Sequence, residues 1–565
     1  MAAQEKSDKI LSANNKKTIA LIQLTRIGDL VQTLIACKPL REQHPDVRLI
    51  LIARPQFYSG IKFLLDEVFD EIYSFDPKVL IQDNLDRSKE EVKRLVSRLS
   101  VENISALINC TYSRPSAYLC QLIKADHKLG PWYDEHNNLR INDPWSQFVY
   151  SNVLETTLNP FNLVDLFKKI IGIRAEEKSQ VTKEPPHNSR AHKITIHPFA
   201  SASRKQWKPS KWSEIIYKTL KDNPQVTITV LGSEKEKALA DEMISKPTLK
   251  NLKHRIISKV GKTSIQDVYK LLKASDLFIG HDSLIGHLAA LAGVQTLTVS
   301  LGSVRPTETT PYHANAYLLS PRTKCFPCKP NDHCDYFQCH SDISYQATSA
   351  CINQLITTRE ISGDALEKNN SSFLIGAVDI YKSELNSESG FSLIKISTSP
   401  VSLADIYRKY YRIAWSFILD KKDLCTDFPE LSSSTHKELY ASLENIQQLY
   451  ELNEFGKKYS RYILEEISSE APKISKIKEF SHKIDEIDRL AELLSGANPY
   501  LGPIVNFYSV KKGNLKGDNI VQLAENSYLT YQEASNFCSV LHEFIEKNIL
   551  QFKRSDDTAT KPKSI

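Results

Sequence analysis

The feature that most constrains this chain is an alternation: a short apolar run, a polar turn, then a stretch whose apolar residues recur at helical spacing. Thr18 Ile19 Ala20 Leu21 Ile22 Gln23 Leu24 opens it, followed by Arg48–Ala53, by Glu71 Ile72 Tyr73 and by Ala106 Leu107 Ile108 Asn109. Runs of this kind suit strands buried on both faces of a parallel sheet, with the intervening helices as crossovers. After residues 175–190, a polar stretch with a Pro pair that reads as a linker, the alternation resumes. Its second set is Lys193–Ile196, Val226–Leu231, Arg255–Ser258, Asp276–Gly280 and Gln295–Val299. The spacing predicts two tandem α/β halves, each a doubly wound sheet, with a cleft between them.

In such sheets ligands bind beyond the carboxyl ends of the strands, so the residues that follow each run are the candidate site. Asp282 and Ser283 follow the run ending at Gly280 and open a helix that carries Leu288, Leu291 and Ala292 inward. That places them at the positive helix end, where an anion is favoured. His287, five residues after Asp282, can reach the same mouth. The plainer alternative is that Asp282 or Ser283 only caps the helix. In the first half Thr25 Arg26 Ile27 Gly28 Asp29 leads into a helix, and Asp29 is either a functional carboxylate or a helix-end acid. Ser201, Ser203, Arg204 and Lys205 follow the first strand of the second half and could grip phosphate. The loop Gly232 Ser233 Glu234 Lys235 Glu236 offers carboxylates to sugar hydroxyls.

Composition removes some classes. A formal charge of +6 over 565 residues, with no long Lys/Arg run, is no nucleic-acid footprint, although an anionic ligand or a membrane surface stays open. The N-terminus has no apolar h-region and no uncharged apolar stretch is long enough to span a bilayer, so a cytoplasmic protein is expected. Of the ten Cys, Cys37, Cys110, Cys120, Cys351, Cys425 and Cys538 stand apart and read as buried thiols.

Ile27 Gly28 Asp29 Leu30 Val31 Gln32 Thr33, Lys205 Gln206 Trp207, Gly261 Lys262 Thr263 Ser264, and Asp282 Ser283 followed by His287 Leu288 Ala289 Ala290 come in a fixed order. Together they resemble glycosyltransferase family 9, the ADP-heptose heptosyltransferases, over about residues 18–355. The resemblance implies two facing Rossmann-like domains of GT-B type, an ADP-heptose donor and no catalytic metal. It assigns Asp29 as general base, Lys205 with Ser201 or Ser203 to the donor diphosphate, and Asp282 and Ser283 to donor sugar and phosphate. Glu236 follows in the same way, with Glu234 left open, and His287 either lines the site or packs the helix. One departure stands out: Leu284 occupies a position that is commonly Gly in the family, so donor geometry or sugar identity is expected to differ there.

Cys325, Cys328, Cys334 and Cys339 leave two, five and four residues between successive thiols, a loop able to wrap one zinc or iron ion. Iron is suggested by protein-modifying members of the family that resemble it in this loop; reduced, unligated thiols are the alternative. Beyond a Ser/Asn-rich stretch the pattern turns helical. Leu403, Ile406, Tyr407, Tyr410, Ala414, Trp415 and Ile418 share one face, and Thr530 with Glu533 suggests a capping box opening the last helix. The expected organisation is a disordered leader at 1–16, an acceptor domain at 17–174, the linker at 175–190, a nucleotide-sugar domain at 191–365, a linker region at 366–397 and an α-helical extension at 398–565.

The combined reading is a cytoplasmic inverting transferase moving heptose or a similar sugar to a lipopolysaccharide-type glycan or a protein. Peripheral contact with the inner membrane surface, and acceptor docking or oligomer formation through the helices, are the expected partnerships. The alternatives are a nucleotide-sugar-binding or assembly protein that has lost turnover on the same fold, and a transferase using a UDP-sugar.

Overall fold

A computed structural model describes residues 17–78, 85–153, 157–173, 192–329, 332–369, 376–422 and 428–559. The stretches read as leader and as first linker lie outside them. The chain divides into two compact units. One takes in Met1–Thr111, Leu122–His127 and Phe161–Ser399, and the other Tyr112–Gln121, Lys128–Pro160 and Pro400–Ile565.

The first unit holds both expected sheets. Strands β1 (Thr18–Gln23), β2 (Arg48–Ala53), β3 (Glu71–Ser74), β4 (Ile104–Asn109) and β5 (His127–Leu129) lie in the order β3-β2-β1-β4-β5. β1 runs parallel to both neighbours and is buried along its whole length, as an unbroken apolar run requires of a central strand. A hairpin of β6 (Pro131–Tyr133) and β7 (Leu139–Ile141) comes next in the chain and belongs to the other unit. The second sheet is built from β8 (Lys193–His197), β9 (Thr227–Val230), β10 (Ile256–Ser258), β11 (Leu277–His281), β12 (Gln295–Val299), β13 (Tyr317–Pro321), β14 (Val378–Asn386) and β15 (Gly390–Lys395). Its order is β10-β9-β8-β11-β12-β13-β14-β15, parallel up to β13 and antiparallel after it. In each sheet the order of connection reverses beside one strand, β1 in the first and β8 in the second. This is where an α/β sheet opens a crevice at its carboxyl edge.

The hairpin β14–β15 occupies the stretch read as a linker region. Val378 and Ile380 face the core, Phe391 is buried, and the intervening polar residues disguise the run in sequence. Four helices of this unit bear on the site: α1 (Ile27–Gln43), α2 (Leu163–Ile171), α3 (Pro209–Asp222) and α4 (Leu284–Leu291). Asp165 on α2, almost fully buried, accepts hydrogen bonds from the Phe391 amide (2.8 Å) and the Tyr312 hydroxyl (2.6 Å). It thereby ties a helix packed on α1 to the second sheet's added hairpin.

The second unit is helical: α5 (Leu403–Asp420), α6 (Ser433–Ile467), α7 (Ile474–Ala497), α8 (Gly502–Lys512) and α9 (Ile520–Ala559). The expected apolar face of α5 is its core side, with Tyr407, Tyr410, Tyr411 and Trp415 fully buried. Trp415 packs on Phe537 (4.3 Å between ring centres), Phe507 (4.7 Å) and Phe148 (5.3 Å), and the Trp145 indole donates to Asp420 (2.9 Å). Two of these partners come from the segment 128–160, not from the extension. The last helix does not start at Thr530. It starts ten residues earlier, where the Asn519 side chain accepts from the Gln522 amide, and Thr530 turns its hydroxyl back to the Asn526 carbonyl. Glu533 is engaged by Lys511 instead of the helix end. Among the described residues no helix is long and apolar enough to cross a membrane.

Candidate functional site

β1 delivers Thr25–Asp29 at the crevice of the first sheet. Asp29 is the third residue of α1 and its Oδ2 accepts from the Arg26 amide (3.0 Å), so it serves as a helix-end acid whatever else it does. Gly28 lies against His287 of α4: a Cβ at Gly28 would stand 3.5 Å from the His287 ring. About one turn on, the Gln32 side-chain amide donates to the Glu308 carbonyl of the second half (3.4 Å).

The second sheet supplies the facing groups. Lys205 ends a single 3₁₀ turn, Ser203–Lys205, and its ammonium pairs with Asp282 Oδ2 at 3.2 Å. Ser201 and Ser203 are exposed on the same loop. His287 is buried, and its Nδ1 has no partner among the described residues. Burial holds its pKa below the usual imidazole range, the Asp282 and Asp29 carboxylates oppose that, and Lys205 adds to it. The four residues therefore share one electrostatic neighbourhood.

Ser283 occupies the N-cap of α4 with extended backbone, yet its side chain makes no capping bond. Its hydroxyl lies 3.2 Å from His197 Nδ1 instead. His197 ends β8 and is buried, which pushes its pKa down to about 4, against the pull of the Glu236 carboxylate. Glu236 closes its own turn by accepting from the Ser233 amide (2.6 Å) and hydroxyl (2.9 Å). Glu234 sits over Gly261, whose positive φ and missing Cβ make room for it, and pairs with Lys237 (3.5 Å). Leu284 is simply the first helical residue of α4 and is not among the described residues with positive φ, so it sits there without backbone strain.

Sequence reading overlooked two histidines at strand ends, His197 and His281. His281 Nε2 accepts from the Trp207 amide (3.1 Å) and the Trp212 indole (3.2 Å), with Nδ1 3.4 Å from the Val299 carbonyl. The Trp207 ring also packs edge-on against His281 (5.3 Å between ring centres) and Trp212 (5.6 Å), so both its side chain and its backbone fix the loop that presents the ammonium. The available signal was a His closing an apolar run, easily taken for a polar strand end.

The cysteine loop lies beside that ammonium-bearing loop. Arg204 donates to the carbonyls of Lys329 (3.3 Å) and Asp332 (3.0 Å), and His340 contacts the Arg204 carbonyl (2.9 Å). Cys339 is buried, Cys325 exposed and the other two half-buried. Burial raises the Cys328 and Cys339 thiols, and the neighbouring thiols raise them further. Among the described residues, which omit Pro330 and Asn331, no three His, Cys, Asp or Glu side chains are arranged to hold an ion.

Residues 92–335 match glycosyltransferase family 9 (heptosyltransferase). Among curated proteins it is similar to lipopolysaccharide heptosyltransferase 3 of Escherichia coli, 25% identical over 48% of this chain and 79% of that protein. It is also similar to lipopolysaccharide heptosyltransferase 1 of Campylobacter coli, 24% identical over 50% of this chain and 83% of that one. Solved structures that align with it include E. coli ADP-heptose lps heptosyltransferase II (16% identity, 60% of this chain, 98% of that chain, TM-score 0.43). Another is the dodecameric iron-containing heptosyltransferase TibC with ADP-D-beta-D-heptose (13% identity, 61% of this chain, 77% of that chain, TM-score 0.36).

Proposed function

We propose that this chain is a glycosyltransferase of family 9, an inverting enzyme that moves heptose, or a similar sugar, from ADP-heptose to a lipopolysaccharide-type glycan or a protein. The observation that carries the reading is that the Gly28–Asp29 turn of the first sheet lies against His287 of α4, a Cβ at Gly28 standing 3.5 Å from its ring, while the second sheet pairs Lys205 with Asp282 at 3.2 Å at the head of the same helix. A general base and a cation on opposite sides of a crevice are what displacement of a nucleoside diphosphate requires. Asp29 takes the proton of an acceptor hydroxyl as its oxygen attacks the anomeric carbon. The diphosphate departs from the opposite face, leaving the configuration inverted. Lys205 and the amides opening α4 meet the charge that grows on the leaving group, a preorganised stabilisation that usually lowers the barrier more than any other single effect in such a site. Glu236, whose carboxylate acts on His197, is assigned to donor hydroxyls; Ser201 and Ser203 are assigned to phosphate.

Lys205 is paired with Asp282 (3.2 Å), so donor binding exchanges that carboxylate for phosphate oxygens. The test is calorimetry with ADP, UDP and ADP-heptose, followed by release of ADP from ADP-heptose on adding lipid-linked glycan or protein acceptors. Binding of ADP but not UDP with acceptor-dependent ADP release supports the reading. Binding without turnover for any acceptor would favour a lapsed binding protein, and preference for UDP the uridine-linked alternative.

Two further assignments belong to this reading. Cys325, Cys328, Cys334 and Cys339 are the proposed ligands of a structural iron or zinc ion, since the neighbouring thiols raise Cys328 and Cys339, a strain that a bound cation would relieve. Metal analysis of protein purified without chelator, against a Cys325→Ser/Cys328→Ser variant, tests it, and absence of stoichiometric metal from the parent protein removes it. The helical unit is the proposed site of acceptor docking or assembly. Leu490 and Leu493, exposed on α7, are the positions to replace with Glu while activity on the native acceptor and oligomeric state are followed.

A further inference from the structure

A serine at the first position before a helix ordinarily turns its oxygen onto the amides of the first turn. Ser283 does not: it makes no such bond, and its hydroxyl is held 3.2 Å from His197 Nδ1. The Ser283 carbonyl accepts from the Gly286 amide (3.1 Å), but its hydroxyl claims none of the first amides of α4, which suits a helix end that receives an anion. His197 is anchored as the last residue of β8, and burial keeps its ring neutral through the physiological range.

A neutral imidazole has one donor and one acceptor nitrogen, and the choice decides what Ser283 can offer. If Nδ1 accepts, the only hydroxyl proton of Ser283 is spent on His197 and Oγ presents lone pairs to an incoming phosphate. If Nδ1 carries the proton, Oγ accepts from it and its own proton is released to point at the phosphate. Two bonds in series also polarise each other, strengthening the terminal donor.

We propose that His197 is a positioning residue of the donor site, acting as the Nδ1–H tautomer to aim the Ser283 hydroxyl at a phosphate oxygen held at the head of α4. This rests on the assignment of a nucleoside diphosphate to that site. The two amide replacements separate the ring nitrogens: Asn places its NH₂ near the Nδ1 position, Gln near Nε2, and Leu removes both.

Dissociation constants for ADP and for inorganic pyrophosphate, measured by calorimetry with melting curves alongside, form the test. His197→Leu and Ser283→Ala are each expected to weaken both ligands about tenfold, the loss of one hydrogen bond to a charged acceptor, whereas His197→Asn stays within about threefold of the parent protein. Adding His197→Leu to Ser283→Ala is expected to cost nothing further, because the imidazole acts through that hydroxyl. Should His197→Leu fail to fold, His197→Gln replaces it, with the same weakening expected. Parent-like affinity in His197→Leu or in its Gln replacement, His197→Asn no better than either, or losses that multiply in the double variant would each overturn the proposal while leaving the donor assignment standing. A parent protein that binds neither ADP nor pyrophosphate overturns both.

Discussion

Asp29 has two duties, and substitutions can part them. As the third residue of α1 it holds the Arg26 amide, a bond that Asn can keep and Ala cannot. As a general base it contributes about 10²- to 10⁴-fold, so Asp29→Ala and Asp29→Asn are both expected to lose roughly that much turnover, read from initial rates of ADP release. Only Asp29→Ala should lose melting temperature as well. Unchanged turnover in Asp29→Asn would end the role as base. The buried histidines set a second expectation. His281 is pushed down to about 3 and His197 to about 4, below their unfolded value, so the unfolded chain binds protons the native one refuses. Their contribution is complete above about pH 6.5 and is lost as pH falls towards 4 and then 3. The urea midpoint should therefore be lower at pH 5 than at pH 7, with a smaller difference in His281→Asn; equal pH dependence would exclude His281 as its source. At this scale the charged residues were legible because they follow apolar runs at the strands' carboxyl ends. The histidines beneath them were not, since nothing in a sequence says which strand-end imidazole will be roofed over.

Elements made of long apolar runs were read with small errors at their ends: β1, β2, β4, β11 and β12 fall on the expected stretches. β14 and β15, the last two strands of the sheet, were missed because they bury residues such as Val378, Ile380 and Phe391 among polar ones, and that composition reads as linker. The start of α9 was misplaced because Thr530 and Glu533 mimic a capping box, while the true cap, Asn519, precedes Ile520, Val521 and Leu523, which stay exposed and so give the helix start no buried stripe. One close contact in the helical unit gives an element-scale prediction. Gly456 of α6 lies against the Tyr531 ring of α9 so closely that a Cβ would stand 2.5 Å from two ring atoms. The ring is buried and its hydroxyl is tied to Asp488 (2.5 Å), so it cannot swing aside. Ala gains about 1 kcal/mol of helix propensity over Gly, but overpacking typically costs about 1–3 kcal/mol. Gly456→Ala should lower stability in chemical denaturation, and a stabilised variant would show that the two helices can separate at little cost.

At the scale of the whole chain, the order of two α/β halves and a helical tail was legible, but the tail's apparent independence was misleading. Its core includes Phe148, fully buried against Trp415, and Trp145, bonded to Asp420, both from the segment 128–160. Sequence places these residues in the first α/β half, and no local pattern announces that their partners arrive more than two hundred positions later. A chain ended after Ser397 is thus expected to expose both aromatics, to bind a hydrophobic dye and to be cleaved by protease within 128–160. A truncated protein with parent-like dye binding and protease resistance would show that this segment folds without the extension. The polypeptide crosses from one unit to the other at 111/112, 121/122, 127/128, 160/161 and 399/400. A module sewn in at so many points cannot be exchanged between relatives as a cassette. Any chimaera that is to inherit the helices must also inherit residues 112–121 and 128–160, so drift in that early segment and in the far C-terminus should be bound together even where the α/β core between them varies freely.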